Sequence, residues 1–298
     1  MPRGKAQKTL DLIDAMAEIT EAAQPITVRG VAYKLFTRGL IPSMAKKETD
    51  KVSRHLTYAR EQGIIPWEWI VDETHAAEYV NTWSSVDQKI RVAVNSYRRD
   101  YWQDQDNWVE VWAEKGTIRG VLRPVLDELG VTFRVMHGFG SATVINDIAE
   151  ETQLADVPLI VLYVGDSDPS GMYMSEQDLP ARLARYGGDC EISRVALSAV
   201  DVAPGTELPS FAVETKRDDA RHNWFVERYG RRCWELDAMD PNDLRERVRD
   251  HIEDLIDDDV WQHAIEIEAA EVASMCEFHA EWQKSISGQA AKYSGGAE

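Results

Sequence analysis

Positive charge is scarce in this chain. Its 298 residues carry 33 lysines and arginines against 52 acids, a formal net charge of −19, which argues against the uniformly basic surface common among nucleic-acid binders. Cysteine is scarcer still: Cys190, Cys233 and Cys276 are odd in number, far apart and never in a CxxC or Cys/His spacing. Neither a disulfide framework nor a zinc site is implied. No apolar run approaches the roughly 20 residues of a membrane span, and the opening MPRGKAQKTLDLIDAMAEI is charged and amphipathic where a signal peptide is apolar. These absences predict a cytoplasmic chain with no membrane partner. A GxxxxGK[ST] loop is also missing, so the chain carries no P-loop ATPase of its own.

Apolar residues make up 44% of the sequence, with 10 tryptophans. That supplies cores for about two domains at this length. The charge is unevenly spread. Between Gln24 and Arg60 eight basic residues (Arg29, Lys34, Arg38, Lys46, Lys47, Lys51, Arg54 and Arg60) face two acids, whereas Asp240 to Glu298 holds fifteen acids and five bases. Because charges are screened over about 8 Å at physiological salt, a basic N-terminal face can attract phosphates while an acidic tail points elsewhere.

Residues Lys8 to Ala23 place Leu10, Ile13, Met16 and Ile19 at helical spacing and stop before Pro25. Thr27 can cap a second helix, VRGVAYKLFTRG, with Gly39 as its stop. A third, KKETDKVSRHLTYAREQG, ends at Gly63, and IIPWEWIV suits a short strand or wing. Three short helices and a wing predict a winged-helix DNA-binding domain over residues 1–83. Residues 84–106 read as a polar linker helix. From Asn107 the chain alternates strand, helix, strand, helix and the continuous apolar strand VPLIVLYVG, the pattern of a mostly parallel sheet flanked by helices, predicted over 107–240. Residues 241–298 read as a helical, acidic C-terminal region.

Ligands of open α/β sheets bind outside the carboxyl ends of the strands, and the acids cluster there. Glu114 closes WVEVWAE, and Asp166 and Asp168 follow the apolar strand in DSDPSG. Two aspartates two apart on an extended segment project the same way. Three convergent carboxylates call for a hard, oxygen-seeking cation, and magnesium, which takes one or two carboxylates and bridges to phosphate, fits. Glu110, on the same strand face as Glu114, is an alternative ligand. Glu114-Lys115, the intervening βα unit and DSDPSG together resemble the Toprim domain of topoisomerases, bacterial primases and a group of nucleases. The resemblance covers roughly residues 108–200.

The segment TVRGVAYKLF resembles the catalytic motif of the topoisomerase VI A subunit and the related meiotic double-strand-break protein, in which an arginine precedes the nucleophilic tyrosine by four positions. Here those residues are Arg29 and Tyr33. CWELDAM, followed by PNDLRERV, resembles a late motif of the same family, and winged helix before Toprim is that family's order. The chain departs from the pattern at Gly30, often an acid there, and at Ala32, commonly an aromatic. The resemblance implies a magnesium-dependent DNA-cleaving transesterase that forms a phosphotyrosine link and works as a homodimer; strand passage would need a separate ATPase subunit, and a stand-alone break-making or nicking enzyme related to the A subunit is the more economical reading. Arg29, one turn before Tyr33, can steady phenolate or phosphate. Tyr97 and Tyr101, beside Arg98 and Arg99, are alternative nucleophiles. A hydrolytic Toprim nuclease and a non-catalytic DNA-binding module also remain open. Lys216 and Arg217, with Arg221, Arg228 and Arg231, are candidate phosphate contacts. His137, before GFGS, is a candidate neighbour of metal or DNA, and Glu235 and Asp237 either extend the acidic cluster or cap a helix.

Overall fold

In a computed structural model, residues 7–71, 82–136 and 142–294 are described. They divide into two compact units, one drawn from residues 1–75 and 107–255 and the other from 76–106 and 256–298. The three N-terminal helices and the sheet thus share a unit. The segment expected as a linker pairs instead with the last helix, and the acidic C-terminal region is divided between the units.

In the first unit, helices α1 (Gln7–Ala23), α2 (Val28–Thr37) and α3 (Lys46–Glu61) enclose a core of Ile13, Met16, Ile19, Val31, Leu35, Val52 and Leu56. The strand β1 (Ile26–Thr27) separates α1 from α2 and pairs in parallel with β2 (Ile70–Val71). The IIPWEWIV segment therefore supplies a 3-10 turn at Trp67–Trp69 and a two-residue strand. Thr27 ends β1 and caps α2, its hydroxyl accepting from the Gly30 N–H, as the sequence predicts. Gly39 and Gly63 adopt positive φ just beyond α2 and α3, a conformation side chains resist.

The second half of this unit is a four-stranded parallel sheet. Strands β3 (Trp108–Ala113), β4 (Thr132–Val135), β5 (Leu159–Val164) and β6 (Cys190–Ala196) lie in the order β4-β3-β5-β6. Helices cover the sheet on both faces, so β3 and β5 are buried without alternation. Trp112, Tyr163, Ile145, Ile148 and Leu183 form one core, with α6 (Ala142–Leu154) and α8 (Leu179–Arg185) supplying its helical side. On α5 (Ile118–Leu129), Val121, Leu122, Val125 and Leu126 are buried, and α10 (Pro241–Glu253) packs on this helix. The chain leaves β3 toward β4 on one side and reaches β5 on the other. The order thus reverses between β3 and β5, and the crevice at that reversal is where open α/β sheets bind ligands.

Past β5, α7 (Pro169–Tyr173) continues through a π-helical turn into α8. The antiparallel pair β7 (Ser210–Ala212) and β8 (Arg232–Trp234), with α9 (His222–Tyr229) between them, follows β6. In the second unit α4 (Val86–Ser96) packs against α11 (Asp258–Ser294), where Asp87 accepts from His279 and Gln283 at 2.9 and 2.7 Å. No helix among the described residues is long and apolar enough to cross a membrane.

Candidate active site

Glu114 follows the last residue of β3, and Asp166 and Asp168 follow β5, so all three acids stand at the strand reversal. Both aspartates are almost fully buried, at 5 and 3% exposure. Each uses one oxygen to fold its surroundings. Asp166 Oδ1 accepts from the Leu236 N–H at 2.9 Å, and Asp168 Oδ1 accepts from the Gly171 N–H at 2.8 Å, capping α7. The other oxygen of each faces a lysine: Lys115 Nζ lies 2.7 Å from Asp166 Oδ2, and Lys216 Nζ lies 3.1 Å from Asp168 Oδ2. Burial opposes the charge of both ammonium groups, and the carboxylates beside them outweigh it, so both pKa values are raised.

Glu114 differs from its neighbours. Its Oε2 is buried and has no hydrogen-bond partner. Burial, then the charges of Asp166 and Asp168, push its carboxyl above the ordinary range. A buried carboxylate oxygen without a donor is costly, and a hard cation relieves that cost. The donor set is all oxygen, which suits magnesium. Among the described residues no group of three or more acidic, histidine or cysteine side chains is placed to hold a metal ion.

Glu110 is excluded from this set by its contacts. It is 1% exposed and accepts from Arg134 at 2.6 and 3.0 Å and from Trp112 Nε1 at 2.7 Å, which leaves it a structural ion pair inside the sheet.

The loop carrying the aspartates is held from below. Arg194 on β6 donates to the carbonyls of Gly165 and Gly171 at 2.9 and 2.8 Å, to those of Leu197 and Asp166 at 3.3 Å, and to Ser175 Oγ at 3.3 Å. Gly171 is required here, because a Cβ at that position would collide with the Asp166 carbonyl oxygen. Ser167, between the aspartates, exchanges backbone hydrogen bonds with Trp234 at 2.9 and 3.0 Å. Sequence reasoning missed Arg194. Its only trace is a lone cation in the middle of CEISRVAL.

The late ELDAM stretch joins the acids to α2. Glu235 forms an ion pair with Arg29, and Asp237 accepts from the Thr27 hydroxyl at 2.7 Å with Lys115 Nζ 4.0 Å away. Both residues therefore belong to the acidic surroundings of the site. Tyr33 is 5% exposed, with the Arg29 guanidinium 5.7 Å from its ring centre. Burial, then hydrogen bonding and repulsion from Glu235, raise the phenol above its ordinary range, and Arg29 opposes that shift.

Of the candidate DNA contacts, Lys46, Lys47 and Arg54 are exposed on α3 and Lys51 is half-buried. Lys47, Lys51 and Arg54 follow one helical stripe. Lys34 pairs with Asp240, and Arg38 lies 3.8 Å from Glu18. Arg60 stacks 4.2 Å from the Trp67 ring centre. Arg217 is exposed, and Lys216 is committed to Asp168. Arg221 pairs with Asp219, Arg231 pairs with Glu214, and Arg228 lies over Trp224. Tyr97 and Tyr101 are in the second unit, where the Tyr97 hydroxyl donates to Glu271 at 2.5 Å and Tyr101 packs edge-on against Trp261. His137 lies outside the described residues.

Neither a protein-family model nor a curated protein sequence matches this chain.

Proposed function

We propose that this chain is a magnesium-dependent DNA-cleaving transesterase, similar in plan to the topoisomerase VI A subunit, with Glu114, Asp166 and Asp168 as metal ligands and Tyr33 as nucleophile. The observation that carries the reading is the unpartnered Glu114 Oε2 beside two buried aspartates at the sheet's strand reversal. Magnesium held there supplies charge stabilisation to a phosphoryl group in transit.

The chain's own residues divide the remaining work. Tyr33 Oη attacks phosphorus, the bond to the departing deoxyribose oxygen breaks, and a phosphotyrosine ester forms. Glu235, the carboxylate against the phenol, takes the phenolic proton, and solvent water protonates the departing deoxyribose oxygen, which leaves as a hydroxyl. Arg29 steadies the negative charge on the phenol or phosphate. The α3 stripe of Lys47, Lys51 and Arg54 tracks the DNA backbone. A homodimer completes the proposal, in a stand-alone form for which a separate ATPase subunit would be needed only for strand passage. The ties from α2 to the ELDAM stretch give each chain a Tyr33 helix fastened beside its own acids.

A second reading, hydrolysis by a metal-activated water, is favoured by the burial of Tyr33 and the upward shift of its phenol. One experiment separates the two. Full-length protein is incubated with supercoiled DNA and magnesium, then denatured with detergent, and the DNA ends are examined for attached protein. Transesterification gives an adduct that Tyr33→Phe abolishes. Hydrolysis gives cleavage without an adduct, retained in Tyr33→Phe and lost in Asp166→Asn. Binding without cleavage reduces the protein to a DNA-binding module.

A further inference from the structure

Each aspartate of the site has one oxygen fixed by a backbone amide and one facing an ammonium group. The oxygens that Lys115 and Lys216 occupy are therefore the oxygens left over from folding. A divalent cation bound by Glu114, Asp166 and Asp168 is drawn to those same oxygens. An ammonium and a divalent ion crowded onto one oxygen repel each other, so lysine and metal compete for it.

We propose that Lys115 and Lys216 are built-in counter-cations that compete with the divalent ion, and that Lys115, once displaced, becomes a phosphate contact in the adjoining cleft. This inference rests on the three acids being metal ligands. Two aspartates this deeply buried are expensive without an opposite charge, and the lysines provide it in the metal-free chain. They are also suited to leaving. An ammonium group is a point charge on a flexible stem, and the two side chains are 38 and 43% exposed, so each can swing into water without repacking the core. Arg194, fixed by four carbonyls and a hydroxyl, has no such freedom.

Lys115 has a place to go. It lines a cleft of about 440 Å³ together with Arg29, Ser53, Thr117, Thr27 and Asp237. Two cations beside the Ser53 and Thr117 hydroxyls suit a phosphodiester. While Lys115 is held by Asp166 and Arg29 by Glu235, that charge is compensated. Displacement of Lys115 by a divalent ion leaves its ammonium free to face the cleft. Metal binding and phosphate binding are then coupled through one side chain.

The test uses the full chain and its Lys115→Met, Lys216→Met and Lys115→Arg variants, titrated with magnesium in a calorimeter. Removing a competing ammonium tightens metal binding, by about tenfold for each Met variant on the usual scale of site coupling, while Lys115→Arg stays close to the parent. The Met variants also unfold at lower temperature in chelator and gain more from magnesium. With calcium present, Lys115→Met binds a short DNA duplex several-fold more weakly than the parent although its metal site is tighter. If the parent binds magnesium and the Met variants bind it equally or less well, the competition is refuted while the metal reading stands. Tighter metal binding with unchanged duplex affinity refutes the transfer of Lys115 to phosphate. If neither parent nor variants bind magnesium, the metal reading fails and takes this inference with it. Should Lys115→Met not fold, Lys216→Met decides the competition alone.

Discussion

Thr27 donates its hydroxyl proton to Asp237 Oδ1 across 2.7 Å, joining residues 210 positions apart. The Thr27 hydroxyl oxygen in turn accepts from the Gly30 N–H at 2.8 Å. One hydroxyl thus caps the helix that carries Tyr33 and satisfies a buried carboxylate next to the loop that carries Asp166 and Asp168. The next residue back in that stretch, Leu236, donates its N–H to Asp166. Tyr33 and the acids are held together by these few bonds.

Thr27→Val, which keeps the shape and removes the hydroxyl, loses both bonds. Loss of the cap costs about 1 kcal/mol, and leaving Asp237 without its donor costs on the order of 1–3 kcal/mol more. Thr27→Ser keeps both bonds and most of the stability. Urea unfolding of the two variants checks this: a Thr27→Val midpoint equal to that of the parent means the hydroxyl bonds contribute nothing.

Glu110→Gln tests the division between structural and metal-binding acids. Removing the charge leaves the Arg134 guanidinium without its buried, two-pronged carboxylate partner, a loss of about 3–5 kcal/mol for a broken buried pair, tempered because Arg134 is 25% exposed and also pairs with Glu151. Magnesium affinity should stay at the parent value. A large fall in affinity, with the fold intact, would return Glu110 to the ligand set.

Much of this architecture could be read along the chain. The caps and stops of α2 and α3 are local chemistry, visible in Thr27, Gly39 and Gly63. The apolar runs of β3 and β5 announce strands covered on both faces, and Glu114, Asp166 and Asp168 gain their meaning from standing at strand ends. What was illegible depends on distant partners. Arg194 looks like an exposed residue of a strand until the Gly165 and Gly171 carbonyls are seen around it. Lys216 reads as a phosphate contact until Asp168 is found 3.1 Å away. Residues 84–106 read as a linker because α4 has no buried face of its own, yet Tyr97, Arg99 and Gln105 bond to α11 or the residues just before it.

Arg194→Lys asks how much the loop depends on a forked donor. Lysine brings at most three donors and no planar fork, so several of the carbonyls now served by the guanidinium go unpaired, for a loss of about 2 kcal/mol. Residues that orient metal ligands typically shift metal affinity 10–100-fold, and Arg194→Lys should weaken magnesium binding on that scale. Calorimetric titration and thermal unfolding together check it. Unchanged magnesium affinity would confine Arg194 to a purely structural role.

Glu114→Gln should make the metal-free protein more stable at neutral pH, although it removes a proposed ligand. The sign follows from the raised carboxyl. Because the folded state holds this proton more tightly than the unfolded chain does, its contribution is full below the unfolded pKa of about 4.3 and is lost as pH rises through the folded value. Above that point ionised Glu114, with Oε2 unpartnered and two aspartate charges nearby, burdens the fold. A neutral amide cannot carry that burden. In chelator, the melting temperature of Glu114→Gln should therefore exceed the parent's at pH 7 and match it near pH 4. Added magnesium should reverse the order at pH 7, since the parent binds the ion through Glu114 and the variant does not. A variant less stable than the parent in chelator at pH 7 would mean that Glu114 is already satisfied, and the strongest support for a metal at this site would be gone.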